Sequence, residues 1–216
     1  MTFGGFNFCT MELLRKVPII VAIFTFLNIA KGQPDPQCEG TNRGRSFVIT
    51  FPGNYESDAD SIELSVLVVA LGDNTTSVTL SSMFDSFQST LEIEPMQFSW
   101  VSIPSEFALS MKSEKSNKAI QVVADSEISV YGLNYQRTTT NAILGIPTDS
   151  LEDNYVQMGV VESIDSPSLF VVVGVKENYT QVEVNLTTSV TFDGQTYPAG
   201  SPLEFSVARN EVVQIV

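Results

Sequence analysis

Short runs of alternating apolar and polar residues, separated by turn residues, constrain this chain more than any other feature of its sequence. The clearest case lies between Asn117 and Tyr155. Ile120 and Val122 open the run, Ala124–Glu127 resembles a turn, and alternation resumes over Ile128–Tyr135. A period of two with β-branched and aromatic residues is typical of β-strands, so we predict a β-hairpin here. Large side chains on both faces of its second arm predict burial on both sides.

The rest of the chain repeats this pattern of short strands and turns. Candidate strands cover Ser46–Phe51 and Ile62–Leu71, and Gly72–Asn74 is predicted to be a hairpin turn that leads to a return strand over Ser77–Leu80. The length of 216 residues suits one large all-β domain or two small units. The predicted fold class is therefore all-β, with an antiparallel, sandwich-like arrangement of strands.

Two segments of the chain share a pattern that indicates an internal repeat. Leu67–Leu80 aligns without a gap with Val171–Val184, and Leu91–Ile103 aligns with Leu203–Ile215 after a small insertion. Two unrelated hairpins with the same turn chemistry would look similar. The repeat predicts two related β units, the second of which is truncated because it has no counterpart of Asn117–Tyr155. The chain is accordingly predicted to be a fragment.

The N-terminal segment has the pattern of a signal peptide. Arg15 and Lys16 precede an apolar run over Val17–Ala30, and small residues stand at the positions that a signal peptidase reads before Gln33. The run falls short of the roughly twenty residues that span a bilayer, although a retained anchor is the alternative. Initiation at Met11 would give a leader of more usual length. The predicted organisation is a signal peptide (1–32), a flexible lead-in (33–45), a first β unit (46–154) and a second, incomplete β unit (155–216).

Charge and composition exclude several classes of function. The net charge of −14 argues against nucleic acid as a partner and against adhesion to anionic membranes through charge. The chain has no histidine, which removes His-based triads, imidazole bases and the commonest metal ligand. Paired acids can cleave glycosides or peptides, but neither Asp-Thr-Gly nor Asp-Ser-Gly occurs. We predict no catalytic residue, no metal site and no cofactor, and hence no enzyme.

Cysteine usage raises the question of how Cys38 is paired in the mature chain. Cleavage of the leader removes Cys9 and leaves Cys38 alone. A lone cysteine in a secreted protein predicts an intermolecular disulfide, and so a disulfide-linked oligomer, or a partner missing from this chain. An unpaired thiol in a flexible segment is the simpler alternative.

Two further loop features have functional and simple interpretations. The acids Glu56, Asp58 and Asp60 alternate in a way that can bind calcium, but the glycine and distal glutamate of an EF-hand are absent, so a solvated loop is favoured. Asparagines in Asn-x-Ser/Thr sequons are predicted to carry N-glycans on turns. These predicted glycosylation sites are Asn74, Asn178 and Asn185.

Two groups of residues resemble a known family. The first is the opening Gly44-Arg45-Ser46-Phe47 followed by Phe51-Pro52-Gly53-Asn54, and the second is the stretch from Asp125 to Tyr135 followed by Ile146–Leu151. Together they resemble the signature of the IgGFc-binding domain family over nearly the whole mature chain. The signature positions are Gly44, Phe47, Phe51, Asn54, Asp125, Ile128, Val130, Tyr131, Gly132 and Pro147.

The resemblance implies a non-enzymatic, secreted extracellular domain of β-sheet type. Its implied partners are an extracellular glycoprotein, an immunoglobulin-like ligand or a microbial surface, in mucus or matrix. Exposed sheet edges, loops and aromatic groups such as Tyr131, Tyr135 and Tyr179 would supply affinity, although packing within the sheets is the favoured role of these tyrosines. The alternative function is a structural module of a secreted mucin-like or matrix polymer with no ligand of its own, linked through Cys38.

Overall fold

The computed structural model describes residues 42–54, 62–137, 139–159 and 168–216, and these residues are organised as β-sheet. The ladders between the described strands are antiparallel, so the predicted all-β, antiparallel fold class is confirmed. The strands are β1 (Gly44–Ile49), β2 (Glu63–Ala70), β3 (Thr76–Ser81), β4 (Gln88–Ile93), β5 (Phe98–Ile103), β6 (Glu114–Ser116), β7 (Ile120–Tyr135), β8 (Thr140–Leu144), β9 (Phe170–Val173), β10 (Thr180–Asn185), β11 (Val190–Phe192), β12 (Gln195–Tyr197), β13 (Pro202–Val207) and β14 (Val212–Ile215).

Several predicted features lie outside the described residues. They are the leader, most of the lead-in, Cys38 and the acidic loop that contains Glu56, Asp58 and Asp60. The helices of the described residues are three-residue 3₁₀ turns at Phe84–Ser86, Ser105–Phe107 and Thr148–Ser150. In this part of the chain no helix has the length to cross a bilayer.

The centre of the main sheet is β7, a single strand of sixteen residues. The predicted turn at Ala124–Glu127 is therefore wrong. The strand continues because its neighbours satisfy the polar groups of this segment: the Asp125 carboxylate accepts a hydrogen bond from the Ser77 N–H at 3.0 Å, and the Glu127 carbonyl accepts one from the Leu71 N–H at 3.1 Å. Turn-forming residue types at this point mark a change of partner, since β3 pairs with the first half of β7 and β2 with the second.

The predicted hairpin at Gly72–Asn74 is also wrong. Both β2 and β3 run antiparallel to β7, so they run in the same direction and occupy successive stretches of that long strand. The segment between them, Leu71–Thr75, interrupts the pairing without reversing the chain. We call β2 and β3 together one arm. The true hairpin joins β3 to β4, and β5 continues from β4 along β2. We call β2 to β5 the first arm pair.

Bends in neighbouring arms let this sheet fold over on itself. The arm of β2 and β3 is interrupted at Leu71–Thr75, and the arm of β4 and β5 is interrupted at Glu94–Gln97. Strands that bend in this way form the corners of two-layered β folds. Inward side chains from both ends of the sheet accordingly pack in one core, which includes Phe47, Phe51, Val66, Val68, Val78, Leu80, Val101, Phe107, Ile120, Val122, Ile128 and Val130.

The pairing of the first arm pair recurs later in the chain. β9 pairs with β14 and β10 with β13, as β2 pairs with β5 and β3 with β4. The bends agree as well, because the Ala70 N–H donates to the Gln97 carbonyl at 2.9 Å and the Gly174 N–H donates to the Glu211 carbonyl at 3.0 Å. We call β9, β10, β13 and β14 the second arm pair.

The observed register refines the sequence alignment of the two segments. The correspondence of Leu67 with Val171 agrees with the pairing, but Trp100, opposite Leu67, corresponds to Gln214, opposite Val171. The later part of the sequence alignment is therefore displaced by two residues. The domain boundaries at 46–154 and 155–216 stay a prediction.

The second arm pair is joined to the first part of the fold through β14. This strand pairs with β6 on one edge and β9 on the other. Gln214 is fully buried there: its side-chain oxygen accepts a hydrogen bond from the Gly53 N–H at 2.9 Å, and its amide nitrogen donates to the carbonyls of Ser110 and Lys112 at 2.5 and 2.8 Å. Val212 packs with Leu109 and Ala119 in a small apolar cluster beside it.

Candidate functional site

A row of large apolar side chains crosses four strands on the outside of the main sheet. Trp100 of β5 lies opposite Leu67 of β2, Leu67 lies opposite Tyr131 of β7, and Tyr131 lies opposite Leu144 of β8. Neighbouring strands are about 4.8 Å apart, so this row extends roughly 14 Å across the sheet. With Phe98, which lies two residues from Trp100 and so on the same face of β5, it forms what we call the aromatic face: Leu67, Phe98, Trp100, Tyr131 and Leu144.

Strand alternation places the aromatic face in solvent. The intervening residues Val66, Val101 and Val130 point inward and are buried, which directs their neighbours outward. The exposed fraction is 52% for Trp100 and 37% for Tyr131. The prediction that the arm Ile128–Tyr135 is buried on both faces is therefore wrong, because Tyr131 and Tyr135 are exposed on its outer face.

The chemistry of the aromatic face suits a dry, uncharged contact. The adjacent row across the same strands consists of Ser102, Ser65, Leu133 and Ala142, and it also lacks charge. The Tyr131 hydroxyl accepts a hydrogen bond from the side-chain amide nitrogen of Asn42 at 3.4 Å. This hydroxyl is the polar group of the aromatic face. A contiguous apolar surface of this kind on an acidic protein is typical of a protein-interaction site.

Sequence reasoning missed the largest members of this face. Phe98 and Trp100 alternate with Ser99 and with buried Val101 in β5, so both faces of that strand carry apolar residues. The available signal in the sequence was the spacing of Phe98 and Trp100, which places two aromatic side chains on the same face of a strand. Only the fold shows that Trp100 shares a row with Tyr131, with Leu67 between them, because that placement depends on the order of strands in the sheet.

The family-signature residues have a structural location. Pro147 forms a bridge with Phe47 and lies against Gly44, and Phe51 packs beside Gly132. The side-chain oxygen of Asn54 accepts a hydrogen bond from the Thr139 hydroxyl at 2.7 Å. These contacts hold β1, β7 and β8 together, so the signature describes the scaffold. Tyr131 alone among the ten reaches the aromatic face.

The three predicted glycosylation sites are accessible. Asn74 and Asn178 lie at corresponding positions between the strands of the two arm pairs, and both are exposed, as is Asn185 at the end of β10. Tyr135 and Tyr179 are also exposed, but Tyr179 lies next to Asn178, away from the aromatic face. Glycosylation itself stays a prediction.

A concave region elsewhere on the surface is of mixed charge. It is lined by residues 43–46, Glu127 and residues 148–150, so two arginines face two acids there. Among the described residues no group of three or more His, Cys, Asp or Glu side chains is placed to hold a metal ion. The nearby acid Asp153 forms an exposed ion pair with Lys176 at 3.3 Å. This region therefore offers a weaker candidate than the aromatic face.

Comparison with known proteins finds a family similarity in the C-terminal part of the chain. Residues 141–216, from β8 to β14, match the family model described as IgGFc binding protein. Over 176 residues the chain is 28% identical to the human IgGFc-binding protein, which covers 81% of this chain. The predicted resemblance to the IgGFc-binding family is confirmed. The chain spans 3% of the length of that human IgGFc-binding relative.

One solved structure also matches, Thermotoga maritima 1070, with a TM-score of 0.33 and 14% identity over 50% of this chain and 97% of that one. At that score the likeness supports no conclusion about either fold or function.

Proposed function

We propose that this chain is a secreted, non-enzymatic recognition module that binds extracellular protein through the aromatic face. The observation that carries the proposal is a row across four adjacent strands, in which Trp100, Tyr131 and Leu144 are exposed and Leu67 is half-buried. The family resemblance supports a binding role, because the matched relative is itself an IgGFc-binding protein. The predicted signal peptide supports secretion.

The second arm pair supplies independent support. Val212 and Gln214 of β14 correspond to Phe98 and Trp100 of β5, and both are fully buried against the first part of the fold. The corresponding face of one arm pair thus already serves as a packing surface. Its exposed counterpart in the first arm pair carries Phe98 and Trp100, and tryptophan is enriched among the residues that dominate binding energy at interfaces.

The proposed ligand is a glycoprotein with an apolar patch and a neutral or basic rim. An immunoglobulin Fc region or a microbial surface protein has the required size to cover a face about 14 Å across. The charge of −14 on this chain would repel acidic partners outside the patch, because like charges at an interface rim reduce the rate of association.

The test uses secreted full-length chain against immobilised immunoglobulin Fc, mucin-type glycoproteins and bacterial surface fractions. Trp100→Ser and Tyr131→Ser should each weaken binding by about tenfold or more, since aromatic anchors at the centre of an interface typically cost at least that much when truncated. Tyr179→Ser is the matched control, because Tyr179 is exposed outside the face. Equal binding by all three variants would disprove this location.

A spectroscopic measurement can report occupancy directly. Trp100 is the single tryptophan of the chain and is about half exposed. A ligand that covers the face removes water from the indole ring, so its fluorescence should shift to shorter wavelength in proportion to bound ligand. A saturable interaction with no change in emission would place the binding site elsewhere.

The structural alternative depends on Cys38. If the chain serves as a polymer module, Cys38→Ser should abolish disulfide-linked oligomers on non-reducing gels, and no ligand should bind the aromatic face. Loss of the oligomers with retained, Trp100-dependent binding would favour recognition. The same preparation therefore separates the two functions.

A further inference from the structure

We propose, in a step that rests on the function proposed above, that the aromatic face holds a neutral, extended, β-linked oligosaccharide chain of its glycoprotein ligand. Outward residues of β2, β5, β7 and β8 form three uncharged rows that include the aromatic face, although 17% of the whole chain is charged. These residues are Phe98 and Val69 in one row, Trp100, Leu67, Tyr131 and Leu144 in the next, and Ser102, Ser65, Leu133 and Ala142 in the third. The surface therefore suits a ligand group without charge.

Hydroxyl groups accompany the apolar row on one side. Ser102 is exposed and Ser65 half-buried in the row beside Trp100. The Tyr131 hydroxyl accepts a hydrogen bond from Asn42, so its own hydrogen is available to donate to a ligand. A pyranose ring has the same division, because its C–H groups form an apolar face and its hydroxyls project around the rim. A sugar ring on the apolar row would thus bring its hydroxyls to the hydroxyls of the protein.

The spacing of the two large aromatic side chains suits a chain of sugars. Trp100 and Tyr131 lie on either side of β2 in one row, so they are about 10 Å apart across the sheet. Two aromatic side chains at this separation contact different rings of one extended chain. Leu67 between them is half-buried, which leaves room for the sugar ring that joins the two contacts. The electron-rich face of an aromatic ring attracts the weakly positive C–H groups of a sugar.

The size of the uncharged surface also favours a sugar chain. Its three rows across four strands span about 14 Å by 13 Å. A stable protein interface removes about 800 Å² from each partner, well above what such a patch supplies. A flat protein surface would have to cover charged residues as well, such as exposed Glu63 in the next row, whereas a few sugar rings fit within the patch. The net charge of −14 repels sialylated or sulfated chains, so the ligand class is neutral.

The probe is the tetrasaccharide of β-1,4-linked N-acetylglucosamine, an extended neutral chain, added to the secreted full-length protein. Since Trp100 is the single tryptophan, its emission reports contact with the row, and we expect a saturable shift to shorter wavelength. The matched control is the tetrasaccharide of α-1,4-linked glucose, which coils. It should bind about tenfold or more weakly, because a coiled chain reaches only one of the two aromatic rings. The absence of any saturable response to the β-linked probe would overturn the proposal.

Two variants of Trp100 distinguish stacking on a ring from general apolar contact. Trp100→Phe keeps an aromatic ring and should bind the β-linked tetrasaccharide within about threefold of the original protein. Trp100→Leu keeps an apolar side chain without a ring and should weaken binding by about tenfold or more. Isothermal titration calorimetry measures both variants, which lack the tryptophan signal. Equal affinities of the two variants would contradict a sugar ring stacked at this position.

A substitution in the serine row has opposite effects on the two kinds of ligand. Ser102→Val removes an exposed hydroxyl and adds apolar surface, and valine suits a strand, so the sheet should tolerate it. Oligosaccharide binding should weaken by about threefold or more, because a sugar hydroxyl loses its partner. A dry protein contact would be unchanged or stronger, and that result would count against a sugar ligand. Tyr179→Ser, exposed outside the face, is the control and should leave binding unchanged.

Enzymatic removal of sugar chains from the glycoprotein ligand separates this proposal from the recognition function itself. We expect Trp100-dependent binding of the intact glycoprotein to be lost after deglycosylation. Trp100-dependent binding that survives deglycosylation would overturn the oligosaccharide assignment and leave recognition through the aromatic face in place. Binding of intact glycoprotein that is independent of Trp100 would disprove the location of the site, and the oligosaccharide with it. Tighter binding of a sialylated chain than of its neutral counterpart would overturn the ligand class proposed here.

Discussion

At the scale of single residues, Gln214 shows how one buried polar side chain can join two parts of a β fold. It is fully buried, and its amide bonds a backbone N–H and two carbonyls from the loops that follow β1 and β5. Each of those backbone groups would be left without this partner if the amide were removed. Unsatisfied buried groups are costly, so the side chain stabilises the fold mainly by preventing that penalty.

Replacement of this amide should therefore destabilise the protein strongly. We expect Gln214→Met, which keeps the volume and removes the polar atoms, to lower the free energy of unfolding by about 2 to 4 kcal/mol. Urea denaturation followed by circular dichroism measures the change. Gln181→Met, at an exposed position of β10, is the control and should change stability by less than about 0.5 kcal/mol. Equal effects of the two variants would contradict the role assigned to Gln214.

A second residue-scale feature is the close approach of Gly44 and Pro147. A Cβ atom at Gly44 would lie 2.6 Å from the Cβ of Pro147, closer than two carbon atoms can approach. Gly44→Ala should lower the free energy of unfolding by about 1 to 3 kcal/mol, because overpacking forces the backbone to shift. Gly159→Ala meets nothing nearer than 3.4 Å and serves as the control in the same denaturation series. An unchanged free energy of unfolding in Gly44→Ala would show that the segment around Pro147 can move to make room for the added methyl group.

At the scale of elements, the long central strand β7 organises the sheet by changing partners part-way along. β3 pairs with its first half and β2 with its second. The Asp125 carboxylate completes the ladder where the two partners meet, since it accepts the Ser77 N–H. The Asp125 side chain thus replaces a backbone carbonyl as the acceptor for Ser77, at the corner where β2 gives way to β3.

Loss of this acceptor should open the corner locally. Asp125→Ala should speed amide exchange of Ser77 and its neighbours and lower stability by about 0.5 to 1.5 kcal/mol, the usual worth of one hydrogen bond. Asp125→Asn keeps an oxygen acceptor and should restore protection. Hydrogen-exchange mass spectrometry of the segment 71–81 distinguishes these outcomes. Unchanged exchange in Asp125→Ala would show that the corner is held by pairing alone.

The elements also show what a sequence can and cannot predict. Alternation correctly indicates strands at β1, β2 and β3, because a period of two depends only on local burial. The turn residues at Ala124–Glu127 and Gly72–Asn74 misled, since Asp, Gly and Asn suit a bend within a paired strand as well as a reversal of the chain. The aromatic face was beyond prediction, because it joins residues from four strands whose order is a property of the whole sheet.

At the scale of the whole molecule, none of the three accessible sequon asparagines belongs to the aromatic face. Asn74 and Asn178 are exposed at the bends of the two arm pairs, and Asn185 is exposed at the end of β10. A glycan at any of them would extend into solvent without entering a core. Carbohydrate at these positions is therefore compatible with a free binding face.

Secretion from eukaryotic cells tests this arrangement. We expect three N-glycans, with mass lost on enzymatic deglycosylation and stepwise lost in Asn74→Gln, Asn178→Gln and Asn185→Gln. Binding through Trp100 should be unchanged in the glycan-free triple variant, because none of the three belongs to the aromatic face. Secreted protein with no change in mass on deglycosylation would contradict the assignment.

The position of β14 has a mechanical consequence. Its hydrogen bonds to β6 and β9 lie across the strand direction, as in any antiparallel ladder. A pull along β14 would have to shear both ladders at once and drag the Gln214 amide out of its three bonds, whereas a pull at right angles would peel bonds one after another. The force needed to pull β14 out along its own direction should thus be larger than the length of this four-residue strand suggests.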